Sequence, residues 1–138
     1  MAFCRNSPFG RLPPRVLIVE NDPETARAIT YLLESAGLAV TVARTGAEGF
    51  ELTRHAEFDL VAVDGELPDG DALEVCAGLR QDFRFERTPI LLILPSVTEV
   101  ERRRGQQAGA TEVIARPLGT TSFISRILSH LKRVKGLK

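Results

Sequence analysis

Five short apolar runs recur along the chain: RVLIVE (15–20), LAVTVA (38–43), DLVAVD (59–64), PILLIL (89–94) and TEVIA (111–115). Most of them are near-continuous rather than alternating. A strand that is apolar at almost every position must bury both of its faces, which requires helices above and below it. The segments between the runs have helical length and pattern. The chain is therefore confined to an α/β (βα)5 order around a parallel five-stranded sheet. Right-handed crossovers and short connections then favour a doubly wound, flavodoxin-like sheet of strand order 2-1-3-4-5.

The helix starts are marked locally. Asp22-Pro23-Glu24 supplies a cap, a proline at the first helical position and an acid in the first turn. Thr45-x-x-Glu48, Asp71-x-x-Glu74 and Ser96-x-x-Glu99 have capping-box spacing, with Asp as a variant of the Ser/Thr rule. Gly37 is predicted to end the first helix after an apolar stripe of Ile29, Leu32, Leu33 and Ala36. The last helix is predicted to bury Phe123, Ile124, Ile127, Leu128, Leu131 and Val134. The helix around 97–108 carries EVERRRGQQAG, with few apolar residues and an internal Gly105, so it is expected to be the most exposed and least stable.

The chain of 138 residues is long enough for one domain with its own core. Residues 1–14 hold three Pro and one Gly and are expected to form a flexible or loosely docked extension, with the domain over 15–138. No repeat, low-complexity tract or second domain is evident, and no room remains after residue 135 for a DNA-binding helix-turn-helix. No apolar stretch approaches the ~18–20 residues needed to span a bilayer, and the first residues lack the apolar core of a signal peptide. Cys4 and Cys76 have no metal-ligand spacing and read as free thiols of a reducing compartment, the cytoplasm.

The net charge is zero but segregated. Residues 113–138 carry six Lys/Arg and no acid, whereas 20–112 carry nine Lys/Arg against 18 acids, net −9. The basic end KRVKGLK reads as a solvated last helical turn whose cations suit the helix dipole. Nucleic-acid binding is not expected, because no nucleic-acid motif accompanies that charge.

In the 2-1-3-4-5 order, strands 1 and 3 are neighbours. Their C-terminal ends bring Glu20, Asn21 and Asp64 together, and strands 4 and 5 add Leu94 and Arg116. Open α/β sheets bind ligands at this edge. Carboxylates with one cation there suit Mg²⁺ and phosphate, because Mg²⁺ prefers oxygen ligands.

VLIVENDPETAR, DLVAVDGELPDGDALEV, TPILLIL and GATEVIARPLG together resemble the motifs of response-regulator receiver domains of two-component signalling, over about residues 15–135. The resemblance implies that Asp64 is the phosphoacceptor for a histidine kinase. It implies that Glu20 and Asn21 stand for the acidic pair that binds Mg²⁺, and that Glu66 lends a backbone carbonyl to the metal. Pro68 and Gly70 match the following loop. It implies no stand-alone enzyme, only self-catalysed phosphoryl transfer to Asp64. The partner implied is a histidine kinase or another signalling protein. The face of the fourth helix, fifth strand and fifth helix would serve for homodimerisation or output, with Arg102, Arg103, Arg104, Glu112 and Arg126 setting its charge pattern.

Four of the pattern's five switch positions are altered. Asn21 replaces a metal-binding acid, Leu94 the hydroxyl residue of the fourth strand, Val113 the aromatic of the fifth, and Arg116 the lysine before Pro117. Asn21 keeps a carbonyl oxygen but not the charge. A unit charge at about 4 Å is worth up to roughly 4 kcal/mol at intermediate dielectric. Mg²⁺ affinity is therefore expected to fall by about one to three orders of magnitude, unless Glu66 turns toward the metal or onto Arg116. Leu94 has no donor for a phosphoryl oxygen. Arg116 has a planar fork that can hold a carboxylate, so an Arg116–Asp64 pair would imitate the active state or block the nucleophile without any phosphate, while Arg116 as a phosphate clamp is the alternative. Three functions remain: an interaction module with impaired or absent phosphorylation switching, a working Mg²⁺-dependent phosphoacceptor, and a nucleotide- or flavin-binding domain. The last is disfavoured by the lack of a phosphate loop after the first strand.

Overall fold

A computed structural model describes residues 12–116 and 119–136. The expectations made for residues 1–11, Cys4 and Pro117 lie outside them. The five apolar runs form β1 (Arg15–Val19), β2 (Ala39–Ala43), β3 (Leu60–Asp64), β4 (Ile90–Leu94) and β5 (Glu112–Ala115). They assemble into one parallel sheet of order β2-β1-β3-β4-β5, as the pattern requires. Between them lie α1 (Pro23–Ser35), α2 (Gly46–His55), α3 (Ala72–Arg80) and α4 (Glu99–Gln107), and α5 (Thr120–Val134) follows β5. A short antiparallel pairing of Glu66–Leu67 with Gly70–Asp71 connects β3 to α3. Pro14 is already buried, and its carbonyl accepts from the Ala39 N–H at 2.9 Å.

Alternation along each strand divides the core into two layers. Val16, Ile18, Leu60, Ala62, Leu91 and Ile114 face α1 and α5, where they meet Leu33, Phe123, Ile127 and Leu131. Leu17, Val19, Val61, Val63, Ile90 and Leu92 face the other way, onto Ala72, Val75, Cys76 and Leu79 of α3. Both faces of the sheet are therefore dry. Cys76 is a free, buried thiol whose Sγ lies 3.3 Å from the Ala108 carbonyl.

The caps follow the sequence at three of four sites. Asp22, Thr45 and Asp71 each accept a backbone N–H in the first turn of α1, α2 and α3. At α4 the cap is Thr98, not Ser96, and its hydroxyl accepts from the Glu101 N–H at 3.3 Å. Thr98-x-x-Glu101 repeats the capping spacing two residues on, which leaves 95–98 to carry the chain from the end of β4 to the helix. Gly37, with φ 91°, closes α1 as expected. Val134 is a correction: it is 47% exposed. It shares the apolar stripe of Phe123, Ile127 and Leu131, so its exposure marks the turn at which α5 outruns the sheet.

Arg80, which no sequence signal singled out, ties three segments together. Its Nε donates to the Gly109 carbonyl at 2.8 Å, Nη1 to the carbonyls of Phe85 at 2.5 Å and Thr88 at 2.6 Å, and Nη2 to Thr111 Oγ1 at 3.2 Å.

Candidate functional site: a cation-paired carboxylate cluster

Glu20 directly follows β1 and its N–H extends the ladder to the Ala43 carbonyl at 2.8 Å. This fixes its side chain at the C-terminal edge of the sheet, where it is only 4% exposed. Its Oε2 accepts from the Asp22 N–H at 3.1 Å. Asp64 ends β3, the central strand, and is equally buried. Its Oδ1 accepts from the Glu66 N–H at 3.1 Å.

Arg116 follows β5, and its N–H donates to the Leu94 carbonyl at 2.9 Å. From there its Nη2 pairs with Asp64 Oδ1 and lies 3.8 Å from Glu20 Oε1. The Arg116–Asp64 pair foreseen from the arginine fork is thus formed. The guanidinium keeps 36% of its side-chain surface in solvent.

The electrostatics follow from this crowding. Burial, followed by the hydrogen bond shared with Asp64 and that group's charge, raises the Glu20 pKa from 4.5 to about 7, against the attraction of Arg116. Burial opposes the Arg116 charge, but Asp64, Glu20 and Glu66 together hold its pKa above the ordinary value. The site therefore contains two buried carboxylates and one cation. Two adjacent buried carboxylates suit a cation between them, and Arg116 is already one.

The other expected ligands stand apart. Asn21 is exposed and its Nδ2 donates to the Arg44 carbonyl at 3.2 Å, leaving only its amide oxygen as a donor atom for a metal. Asp22 spends its carboxylate on Thr25 as the α1 cap. Glu66 is exposed and makes no ion pair within 4 Å among the described residues. It faces solvent instead of folding onto Arg116, although its charge still reaches the guanidinium. Among the described residues no group of three or more His, Cys, Asp or Glu side chains converges as a metal-holding cluster.

Asp69, unmarked in the sequence reading, fastens the loop after Asp64. Its two oxygens accept from the N–H groups of Gly46 and Ala47, each at 2.9 Å, at the start of α2. These backbone donors hold its pKa below the usual aspartate value.

Leu94 is half-buried and lies over Gly65. A Cβ on Gly65 would lie 2.6 Å from Leu94 Cδ2 and 2.8 Å from the Ile93 carbonyl oxygen. Val113 is buried against α4. On the outer face, Arg102, Arg103 and Arg104 are exposed, with Arg103 3.5 Å from Glu99. Glu112 is engaged within the chain, 2.6 Å from Arg126 and 2.8 Å from His130.

Fold and site together define a flavodoxin-like α/β domain with an acidic, cation-paired cluster at the switch point of its sheet. The chain belongs to the response regulator receiver domain family, which it matches over residues 16–128. It is 30% identical over 128 residues to the transcriptional regulatory protein BaeR of Escherichia coli, covering 93% of this chain and 52% of BaeR. It is 28% identical to the polar-differentiation response regulator DivK of Brucella anthropi, covering 87% of this chain and 98% of DivK. The chain thus spans about half the length of some curated relatives and nearly all of another. Its fold is that of the chemotaxis response regulator CheY4 of Vibrio cholerae, with TM-score 0.80, 22% identity and coverage of 87% and 99% of the two chains. A CheY-like receiver domain protein of Methanospirillum hungatei gives TM-score 0.82 at 22% identity, covering 91% and 98%.

Proposed function

We propose that this chain acts as an atypical receiver: a protein-interaction module of two-component signalling in which phosphorylation no longer drives switching in the usual way. The observation that carries this reading is the pairing of Arg116 with Asp64 Oδ1. One carboxylate oxygen of the would-be phosphoacceptor is thus already held by a cation, and that cation is covalently part of the chain. Leu94, packed over Gly65, offers no hydroxyl to a phosphoryl oxygen. Its partner is a histidine kinase or another signalling protein, engaged through α4, β5 and α5, and a homodimer through the same face fits the reading. The location is the cytoplasm, in keeping with helices none of which, among the described residues, is long and apolar enough to cross a membrane.

A second reading, a live Mg²⁺-dependent phosphoacceptor, is favoured by the placing of Glu20 and Asp64, both buried, side by side at the strand ends. Glu20 and Asp64, with the amide oxygen of Asn21 and the backbone of Glu66, would then hold the metal. Mg²⁺ would supply compensation for the charge gathered between Asp64 and the incoming phosphoryl group. Intact-mass measurement after incubation with acetyl phosphate and Mg²⁺ separates the two, with Asp64→Ala as the control. Absence of an adduct at high Mg²⁺ is the expected result. An adduct on the wild type alone would overturn the first reading.

A further inference from the structure

Each altered switch position that lies on a core strand, Leu94 and Val113, is matched by a glycine on the element it touches. Leu94 sits over Gly65, as described. Val113 sits under Gly105, where a Cβ would fall far inside van der Waals contact with Val113 Cγ2 and 3.6 Å from Leu92 Cδ1. Gly105 is the only buried residue of α4. Along the chain it is a weak point, since glycine is a poor helix former. In the fold it is the helix's seat: the backbone of α4 rests directly on the valine.

We infer that these two glycine notches hold α4 and the loop before it in a single arrangement, so that the face formed by α4, β5 and α5 is presented constantly. This builds on the proposed loss of phosphorylation switching and names the part of the fold responsible. A switch needs an element with two discrete packings. At the Gly105–Val113 contact one partner has no side chain to move, and the other is β-branched with restricted χ1 freedom. At the Gly65–Leu94 contact the leucine occupies the space that a side chain on Gly65 would take. The Gly65 N–H also bonds the Ile93 carbonyl at 2.6 Å, pinning the two strand ends together.

Backbone ¹⁵N relaxation dispersion on the full chain tests this. The amides of residues 92–115 should give flat profiles. Two-state exchange on the μs–ms scale in that stretch would overturn the inference. Amide hydrogen exchange of Gly105→Ala tests the contact itself. It should speed exchange in α4 at least tenfold with α1 unchanged, although alanine is the better helix former. Adding Val113→Ala should restore α4 to within about threefold of wild type. An unchanged α4 in Gly105→Ala, or no rescue, would overturn it. If Gly105→Ala does not fold, Val113→Ala alone should still speed exchange in α4, and an unchanged rate would count against the notch. The two proposals fail separately. A phosphoryl adduct on Asp64 with flat dispersion defeats only the proposed function, and exchange at α4 without an adduct defeats only this inference.

Discussion

Glu20→Gln should stabilise the protein at pH 8 and leave it nearly unchanged at pH 4. Glu20 is 4% exposed and its pKa rises from 4.5 to about 7 on folding. One pKa unit is worth ~1.4 kcal/mol, so ionised Glu20 costs the fold about 3 kcal/mol. The sign follows from proton binding. Between pH 4.5 and 7 the folded chain holds a proton that the unfolded chain has lost, so stability falls as pH rises through that window and levels off above it. Below pH 4.5 both states are protonated and the cost vanishes. Glutamine keeps the shape and an oxygen for the Asp22 N–H but cannot ionise. Urea denaturation of wild type and variant across pH 4 to 8, with EDTA present, gives the difference directly. Groups with lowered pKa, such as Asp69 and Asp82, titrate alike in both proteins and cancel. A difference in unfolding free energy that stays constant with pH would refute the electrostatic account, because the amide's changed hydrogen bonding does not titrate and only the lost charge can make the difference depend on pH.

Three further outcomes follow from the same contacts. Arg116→Gln leaves Glu20 and Asp64 facing each other without a cation. It should destabilise by about 1–2 kcal/mol at pH 8, below the ~3–5 of a fully buried pair because the guanidinium is partly exposed, and millimolar Mg²⁺ should recover part of the loss in urea titrations. Arg80→Ala removes a donor from four carbonyls and from the Thr111 hydroxyl and should cost about 2–4 kcal/mol, with Arg80→Lys unable to restore it, as a single ammonium cannot reach the same acceptors. Asp69→Ala should lower the exchange protection factors of the Gly46 and Ala47 amides with little change elsewhere in the sheet, and the wild-type protection factors of the same two amides should fall as pH drops below the range in which Asp69 stays ionised.

The amino-acid sequence by itself determined the parallel sheet and its order, three of the four marked helix caps, and the meeting of Glu20, Asp64 and Arg116 at the strand ends. These depend on short-range signals: which residues are apolar in succession, and which side chain stands two or three positions before a free N–H. Given the sheet order, the strand ends can only converge. The choice of Thr98 over Ser96 was not legible, because the two candidates present the same local pattern and the distance to be spanned decides between them. Nor were the Arg80 hub, the Asp69 clamp on α2, or the Glu112–Arg126–His130 cluster, since each joins residues far apart in the chain through long or buried side chains. Gly105 is the sharpest case. Read along the chain it is a defect in a polar helix. Only the packed structure, with Val113 of a different element pressed against its backbone, turns the missing side chain into the point of attachment.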